Sequence, residues 1–475
     1  MVFDHHSQPS IDWYGRGVAA AEVTEALWRR VGGEPEALAA LDVVDDGPAL
    51  PSVYRVTDAA TATVAATTLA AARLWQERGG PQARARVGSR EAAVAFRSER
   101  YLRLVRPDGV RVPMAGPDDR TGDYRTRDGW IRLHCNYPAH RAAVDEVLGA
   151  GDPQDWTAVE LEEAVVAAGG AAAALRSRAG WASHPQGSAV ARLPLLGRAR
   201  SGSEHAPRLP AASRPLAGVR VLDLTRVIAG PVAGRILAAH GAQVLRVGAD
   251  HLALVADLVV DTGFGKRFTH LDLRRDEGRD ALRRLVTQAD VVLEAFRPGA
   301  LARLGFGPEQ CAELRPGLIY VEISAWGQVG PWSERRGFDS LVQMACGIAD
   351  EGRIAANDPH GRPRPLPAQV LDHATGFLAA LGAIQGLRQR HAGGEGSRVQ
   401  VSLSATAAWL DSLGRDPGGR TVADPGIDDV SDLLIEDETP YGRVSHVRPP
   451  GQIDGAPPRW TTAPQRPGAD TPVWT

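Results

Sequence analysis

Between Pro215 and residue 323 the chain alternates short apolar runs with short helical stretches, and this pattern restricts it to a layered α/β fold. Val219-Arg-Val-Leu-Asp-Leu reads as a buried strand, and Pro231-Val-Ala-Gly-Arg-Ile-Leu-Ala-Ala-His as a helix with proline in its first turn. Further strands are expected at 241–247, 269–273, 290–294 and 318–323, with helices at 276–287 and 308–314. Strands interleaved with helices imply one parallel sheet covered on both faces, as in a Rossmann-like domain.

The flanks read differently. Residues 18–31 and 58–78 have helical character, and Tyr124-Arg-Thr-Arg-Asp-Gly-Trp-Ile-Arg-Leu-His-Cys is a hairpin turning at Asp128-Gly129. Helices are expected at 140–148 and 158–168, which makes a small α+β unit. Arg, Ser, Gly and Pro cluster at 197–214, a linker composition. The expected organisation is a small-domain-like region at 1–196, a linker at 197–214, a Rossmann-like domain at 215–414 and a Pro/Gly-rich extension at 415–475 that wraps the surface. Asp58-Ala-Ala-Thr-Ala-Thr-Val-Ala-Ala also aligns without gaps on Asp372-His-Ala-Thr-Gly-Phe-Leu-Ala-Ala, and the register carries Arg84 onto Arg398 and Val87 onto Val401. This echo suggests a duplication.

Composition narrows the function. A net charge of −3 gives no reason to expect nucleic acid or a membrane surface as partner. Cys135, Cys311 and Cys346 are widely spaced and odd in number, so neither a metal site nor a disulfide framework follows, which fits a reducing cytoplasm. The N-terminus lacks the regions of a signal peptide, and the weakly polar run at 164–175 is too short to span a bilayer.

Three places carry chemistry. The turn Thr225-Arg-Val-Ile-Ala-Gly-Pro leads into a helix N-terminus, which offers unpaired N–H groups to an anion. It is not a Gly-x-Gly-x-x-Gly fingerprint, so a dinucleotide is not indicated. Gly265-Lys-Arg, Arg274, Phe296-Arg-Pro-Gly, Arg303 and Arg335-Arg336 place cations after strand ends, where open parallel sheets bind ligands. Arginine suits a phosphorylated ligand with an aromatic base. Finally, Asp372 stands before a long apolar helix expected at 374–390. As an N-cap it would contribute about 1 kcal/mol. As a nucleophile it would be kept ionised by the same helix end.

Several of these segments resemble the family III CoA-transferases, the CaiB/BaiF family. The resemblance rests on Pro215-Leu-Ala-Gly-Val-Arg-Val-Leu-Asp-Leu-Thr-Arg-Val-Ile-Ala-Gly-Pro, on Ala289-Asp-Val-Val-Leu-Glu-Ala-Phe-Arg-Pro-Gly, on Ile323-Ser-Ala-Trp-Gly-Gln-Val-Gly-Pro, on Gly337-Phe-Asp and on Asp372-x-x-x-Gly. It implies that Asp372 is a catalytic aspartate that attacks an acyl-CoA thioester and carries CoA to a second carboxylic acid through a covalent aspartyl intermediate. It further implies that Val227, Ala229, Leu271, Arg274, Phe296, Arg303 and Arg336 bind CoA. Coenzyme A and acyl-CoA are then substrates, with no permanently bound cofactor and no metal. Members form interlocked dimers, so a homodimer is implied, with closure of the chain on itself as the alternative.

The sequence departs from the family pattern in two ways. Gly248 and Ala249 replace an acidic residue and a nearby cation, and the segment resembling the family's small domain precedes the Rossmann half. The related racemases carry histidine where Phe338 stands, which counts against two-base proton transfer here. A racemase or CoA-dependent lyase, and a non-catalytic acyl-CoA-binding protein, are the alternative readings. Asp58 is expected to be a structural cap. His134, Asn136 and His140 are open candidates for the acid-binding pocket.

Overall fold

The computed structural model describes residues 19–113, 118–202, 206–358, 360–416 and 418–475. The start of the expected N-terminal region, including residue 18 of its first helix, lies outside them. The fold is mixed α/β, built on a seven-stranded sheet. Its strands are β1 (Gly197–Ser201), β2 (Arg220–Leu224), β3 (Gln243–Gly248), β4 (Lys266–His270), β5 (Val291–Glu294), β6 (Ile319–Ser324) and β7 (Gly396–Ser402), in the spatial order β4-β3-β2-β5-β6-β7-β1. All neighbours are parallel except β7 and β1. The order reverses direction at β2, so a crevice opens between the ends of β2 and β5.

Burial follows from the apolar strands. One face of the sheet, with Val221, Val291, Val321 and Val399, packs on helices α2 (Ala229–Ala239) and α4 (Val370–Gly393). The opposite face, with Leu222, Val292 and Tyr320, packs on helices Asp276–Val286 and Pro308–Leu314. Helix α4 is long and apolar enough to cross a membrane, yet its apolar window is wholly buried here as a core helix.

Two expected boundaries change. The expected linker at 197–214 begins with β1, an antiparallel edge strand on β7. Its later part is pinned by Arg78, which donates to the carbonyls of Pro210, Pro215 and Ala217 at 2.8–2.9 Å. The strand expected at 269–273 is instead Lys266–His270, because the Asp272 carboxylate accepts the Arg274 N–H at 3.1 Å and closes a turn that competes with the ladder.

Outside the large sheet, strands Gly122–Arg125, Trp130–Leu133 and Ala172–Ala174 form an antiparallel sheet under helices Pro138–Leu148 and Ala158–Ala167. Ile131, Leu133, Val144, Leu161 and Val165 make its core. This small unit docks on helix α3 (Asp339–Ala345), where the Arg176 N–H donates to the Met344 carbonyl at 3.1 Å. The C-terminal stretch does more than wrap the surface. Its hairpin Leu434–Thr439 and Gly442–Val447 extends a sheet with Arg103–Val105 and Arg111–Pro113.

The echo has a structural counterpart. Helix α1 (Val56–Glu77) lies along α4. Thr67 donates to the Phe377 carbonyl at 3.1 Å, and farther along Arg388 pairs with Glu77, so the two helices run in the same direction. Strand Ala85–Gly88 has a parallel neighbour, Leu41–Val44, and an antiparallel one, Gln452–Ile453. Strand β7 is flanked in the same way by β6 and β1.

Candidate active site

The site starts at the turn from β2 into α2. Asp223 accepts from the Thr225 N–H at 3.0 Å and from its hydroxyl, and it pairs with Lys266 at 2.7 Å. Lys266 also donates to the Pro231 carbonyl at 2.7 Å, and burial pushes its ammonium down to about 8. This buried ion pair fixes the turn from below. Val227 sits at φ 75°, a left-handed conformation that a β-branched residue rarely adopts. Gly230 is required because a Cβ there would lie 2.3 Å from Thr225 Cβ.

Helix α4 crosses α2 closely. A Cβ on Gly376 would lie 2.6 Å from the Ala229 carbonyl oxygen, so the glycine of Asp372-x-x-x-Gly is what lets the first turns of the two helices meet. That approach sets the Ala229 N–H against the Asp372 carboxylate, where it favours the charged form. Asp372 is the third residue of its helix and is only 7 % exposed.

Asp372 does not cap its helix. Asp339 does: its carboxylate accepts the Leu371 N–H at 2.8 Å, the Asp372 N–H at 3.1 Å and the Gln343 amide. The expectation that the helix end would keep Asp372 ionised is therefore corrected. Asp339 takes up the free N–H groups, and burial, with Asp339 and then Glu99 nearby, raises the Asp372 carboxyl well above the usual range. Asp58, at the echoed position, is not a cap either; Arg55 pairs with it at 3.1 Å.

The small unit faces this carboxyl. The His134 ring stacks on Phe338 at 3.7 Å and 5°, His140 meets Phe338 edge-on at 5.7 Å, and Tyr137 lies 5.3 Å from His140. Tyr137 is close enough to Asp372 for the carboxylate to help raise its hydroxyl, although burial is the larger cause. Burial holds His134 down at about 3 and His140 at about 4, with neighbouring charges adding to the effect.

Cations gather beside the turn. The Arg226 guanidinium lies 5.9 Å from the Tyr137 ring centre and 5.6 Å from that of Phe296. Arg246 is 3 % exposed, lies over Phe268 at 4.5 Å and has an Nη1 without a partner. Arg336 is half-buried, with Arg297 near enough to disfavour its charge further. Among the described residues none of Arg226, Arg246, Arg297 and Arg336 forms an ion pair with a carboxylate. No cluster of potential metal ligands occurs among the described residues.

The structure brings Val227, Ala229, Phe296, Arg336 and Asp372 to this crevice. Leu271 is buried in the core of the opposite face, just past β4. Arg274 is exposed and held by Asp272 at 2.8 Å, and Arg303 is exposed. Sequence reasoning missed the cap made by Asp339, the ring of Tyr137, and Arg226 and Arg246. Arg246 left a signal: an arginine inside the apolar strand Val244-Leu-Arg-Val must be buried, which is rare without a purpose.

Fold and site together define an α/β protein with a buried carboxyl between an arginine-flanked turn and an aromatic wall. The chain belongs to the CoA-transferase family III, whose model matches residues 37–191 and 216–413. It is 33% identical over 213 residues to a probable fatty acyl-CoA transferase of Mycobacterium tuberculosis, covering 42% of this chain and 53% of that protein. It is 35% identical over 216 residues to succinyl-CoA–D-citramalate CoA-transferase of Chloroflexus aurantiacus, covering 42% and 52%. It is also 32% identical over 220 residues to the alpha-methylacyl-CoA racemase of Mus musculus, covering 44% and 56%. The matches thus span about half the length of these relatives.

Proposed function

We propose that this protein is a CoA-transferase that moves CoA from an acyl-CoA to a carboxylic acid through a covalent intermediate on Asp372. The observation that carries this reading is a buried carboxyl at a helix start that is spared from capping by Asp339 and meets the Ala229 N–H. Asp372 first gives up its proton to solvent and, as the carboxylate, attacks the thioester carbonyl; the C–S bond breaks, and CoA thiolate leaves a mixed anhydride. The thiolate then attacks the Asp372 acyl carbon, releasing the donor acid and forming an aspartyl-CoA thioester. The acceptor carboxylate attacks that thioester and frees the thiolate again, and the thiolate attacks the acceptor's acyl carbon to restore Asp372.

CoA is a substrate here, and the residues fit it. Arg226, Arg297, Arg303 and Arg336 suit its phosphates, with Arg274 reached by opening its Asp272 pair. Phe296 offers a ring, and Val227, Ala229 and Leu271 form the turn and the strand end beside it. The Rossmann-like part then serves as the CoA-binding and catalytic domain, and the smaller α+β unit lies N-terminal to it and completes the site. Intact-mass spectra after mixing with acyl-CoA should show an aspartyl-CoA adduct that Asp372→Ala abolishes; transfer persisting in that variant overturns the proposal.

One observation favours a second reading, α-proton chemistry. Phe338 stands where the racemases carry histidine, yet His134 stacks on it and His140 lies against it, so imidazoles still lie beside that position. Exchange of the α-proton in deuterated water, without an adduct, would select that reading.

A further inference from the structure

We infer that the cleft at the amino ends of β2 and β5 is a second ligand site, separate from the Asp372 crevice, and that it binds a small phosphate-bearing anion. This goes beyond the transfer reading and does not rest on it.

Placement separates the two sites. Arg220 opens β2, Asp290 stands one residue before β5, Arg315 follows the helix Pro308–Leu314, and Arg390 lies in the last turn of α4. With Arg208 they line a cleft of about 330 Å³. The turn at Thr225 lies at the other end of β2, five residues on from Arg220. At about 3.3 Å per residue the two sites stand on the order of 16 Å apart.

Charge names the ligand. Four arginines line the cleft against one carboxylate, Asp290. That carboxylate is already engaged: it accepts Arg390 Nη1 at 2.7 Å and the Arg220 main-chain N–H at 2.9 Å, with Arg315 Nη2 at 3.5 Å. The Arg220 guanidinium donates to the Gln288 side chain at 3.3 Å, and Arg208 is exposed. Neither of these two side chains pairs with a carboxylate among the described residues. Arg390 is 3 % exposed and keeps a buried Nε without a partner, although buried donors are normally paired. Behind the cleft, Arg78 gives its guanidinium to the Pro210, Pro215 and Ala217 carbonyls; burial disfavours its charge, and Asp290 is near enough to favour it. One carboxylate therefore serves several buried or half-buried cations.

The lining alone leaves an excess of three positive charges, four less one. The carboxyl ends of the two helices that carry Arg315 and Arg390 lower it by roughly one charge, and Arg78 restores about one from behind. A terminal phosphate carries about 1.5–2 negative charges near neutral pH, and a second phosphate linked to it brings the total near that excess. Shape agrees with charge. The guanidinium groups converge from a loop, a strand start and two helix ends, which the oxygens of a phosphate meet together and a planar carboxylate does not.

The test is calorimetric titration of the whole protein with inorganic diphosphate and with ADP, which share the group. Saturable binding is expected, weakened at least about tenfold by Arg208→Gln combined with Arg315→Gln. The crevice pair Arg226→Gln with Arg336→Gln should leave it unchanged. Arg208→Gln alone changes an exposed side chain with no partner among the described residues, so it leaves the fold intact and should weaken binding several-fold; melting temperatures check the double variant. ADP binding more tightly than diphosphate assigns the group to a nucleotide, and equal affinity assigns it to the free anion; either supports the site. No saturable binding, or binding lost with the crevice pair and kept with the cleft pair, overturns the inference. Equal weakening by both pairs means diffuse charge attraction alone and overturns it as well.

Discussion

Gly376→Ala is the substitution that most directly tests how the site is held. The new Cβ would lie 2.6 Å from the Ala229 carbonyl oxygen and 2.9 Å from Val232 Cγ1, whereas ordinary contact begins at 3.4 Å. The near atom is backbone and cannot swing aside, so α2 and α4 must part by about 0.8 Å, the difference between 3.4 and 2.6 Å. Overpacking of this kind costs about 1–3 kcal/mol, offset by roughly 1 kcal/mol from the better helix propensity of alanine. The stability change is therefore small, but the Ala229 N–H leaves Asp372. A misplacement near 1 Å costs on the order of 100-fold in rate. The control is Gly382→Ala on the same helix, whose Cβ would meet the side chains of Val399, at 2.5 Å, and Leu196. Rapid-quench intact mass gives the rate of aspartyl-CoA formation, and urea denaturation gives stability. If the two variants lose stability alike and form adduct equally fast, the close crossing is packing alone and the argument fails.

Further outcomes are expected. Asp372→Asn should be more stable than wild type at pH 8 and indistinguishable near pH 4. The raised carboxyl keeps its proton in the folded state while the unfolded chain ionises, so wild type loses stability as pH rises; equal denaturation midpoints at pH 8 would contradict this. Glu294, pushed up to about 8 by burial and then by Glu322, follows the same sign. Its contribution is fully present below the ordinary carboxyl pKa and is lost as pH rises through 8, so Glu294→Gln should gain stability toward pH 9, with an upper bound of about 5 kcal/mol. Lys266→Met should destabilise by about 3–5 kcal/mol, because Asp223 would be left buried without its ion-pair partner; a loss below 1 kcal/mol in chemical denaturation would contradict this.

What could be read from the sequence was local. The helices at Pro308–Leu314 and Asp276–Val286 and the turn at Asp128-Gly129 follow from neighbouring residues, and they stand where expected. The alternation after Pro215 likewise gave the parallel sheet, and Asp372 stood out by its place before an apolar helix. The rest depends on contacts between distant segments. Nothing near Asp372 shows that Asp339 binds its helix end, since that bond spans 33 positions. Nothing near Phe338 shows that His134 will stack on it. The strand at Gly197–Ser201 was hidden because its Arg-rich, Gly-flanked sequence is stable as a strand only with β7 as a partner.

The two segments that match the family model interlock within one chain. After the first segment, β1 crosses to pair with β7 of the second; after the second, Gln452–Ile453 pairs with Ala85–Gly88 of the first. The small unit from the first segment and the turn, Asp339 and Asp372 from the second then surround one carboxyl. This explains why equivalent aspartates differ. Asp58 and Asp372 are both the third residue of long, parallel, packed helices, so helix position alone gives them the same chemistry. Burial raises both carboxyls, but Arg55 pairs with Asp58 and offsets part of the rise, while Asp372 stands beside a second carboxylate and an open N–H. Gln369 occupies the position equivalent to Arg55. Gln369→Arg should therefore supply Asp372 with the missing cation, lower its carboxyl pKa and slow attack on the thioester by pairing the oxygens that must reach it. A variant that forms the adduct at the wild-type rate, with Asp372 shown to be ionised, would mean that the bare carboxyl is not what distinguishes the working aspartate from its echo.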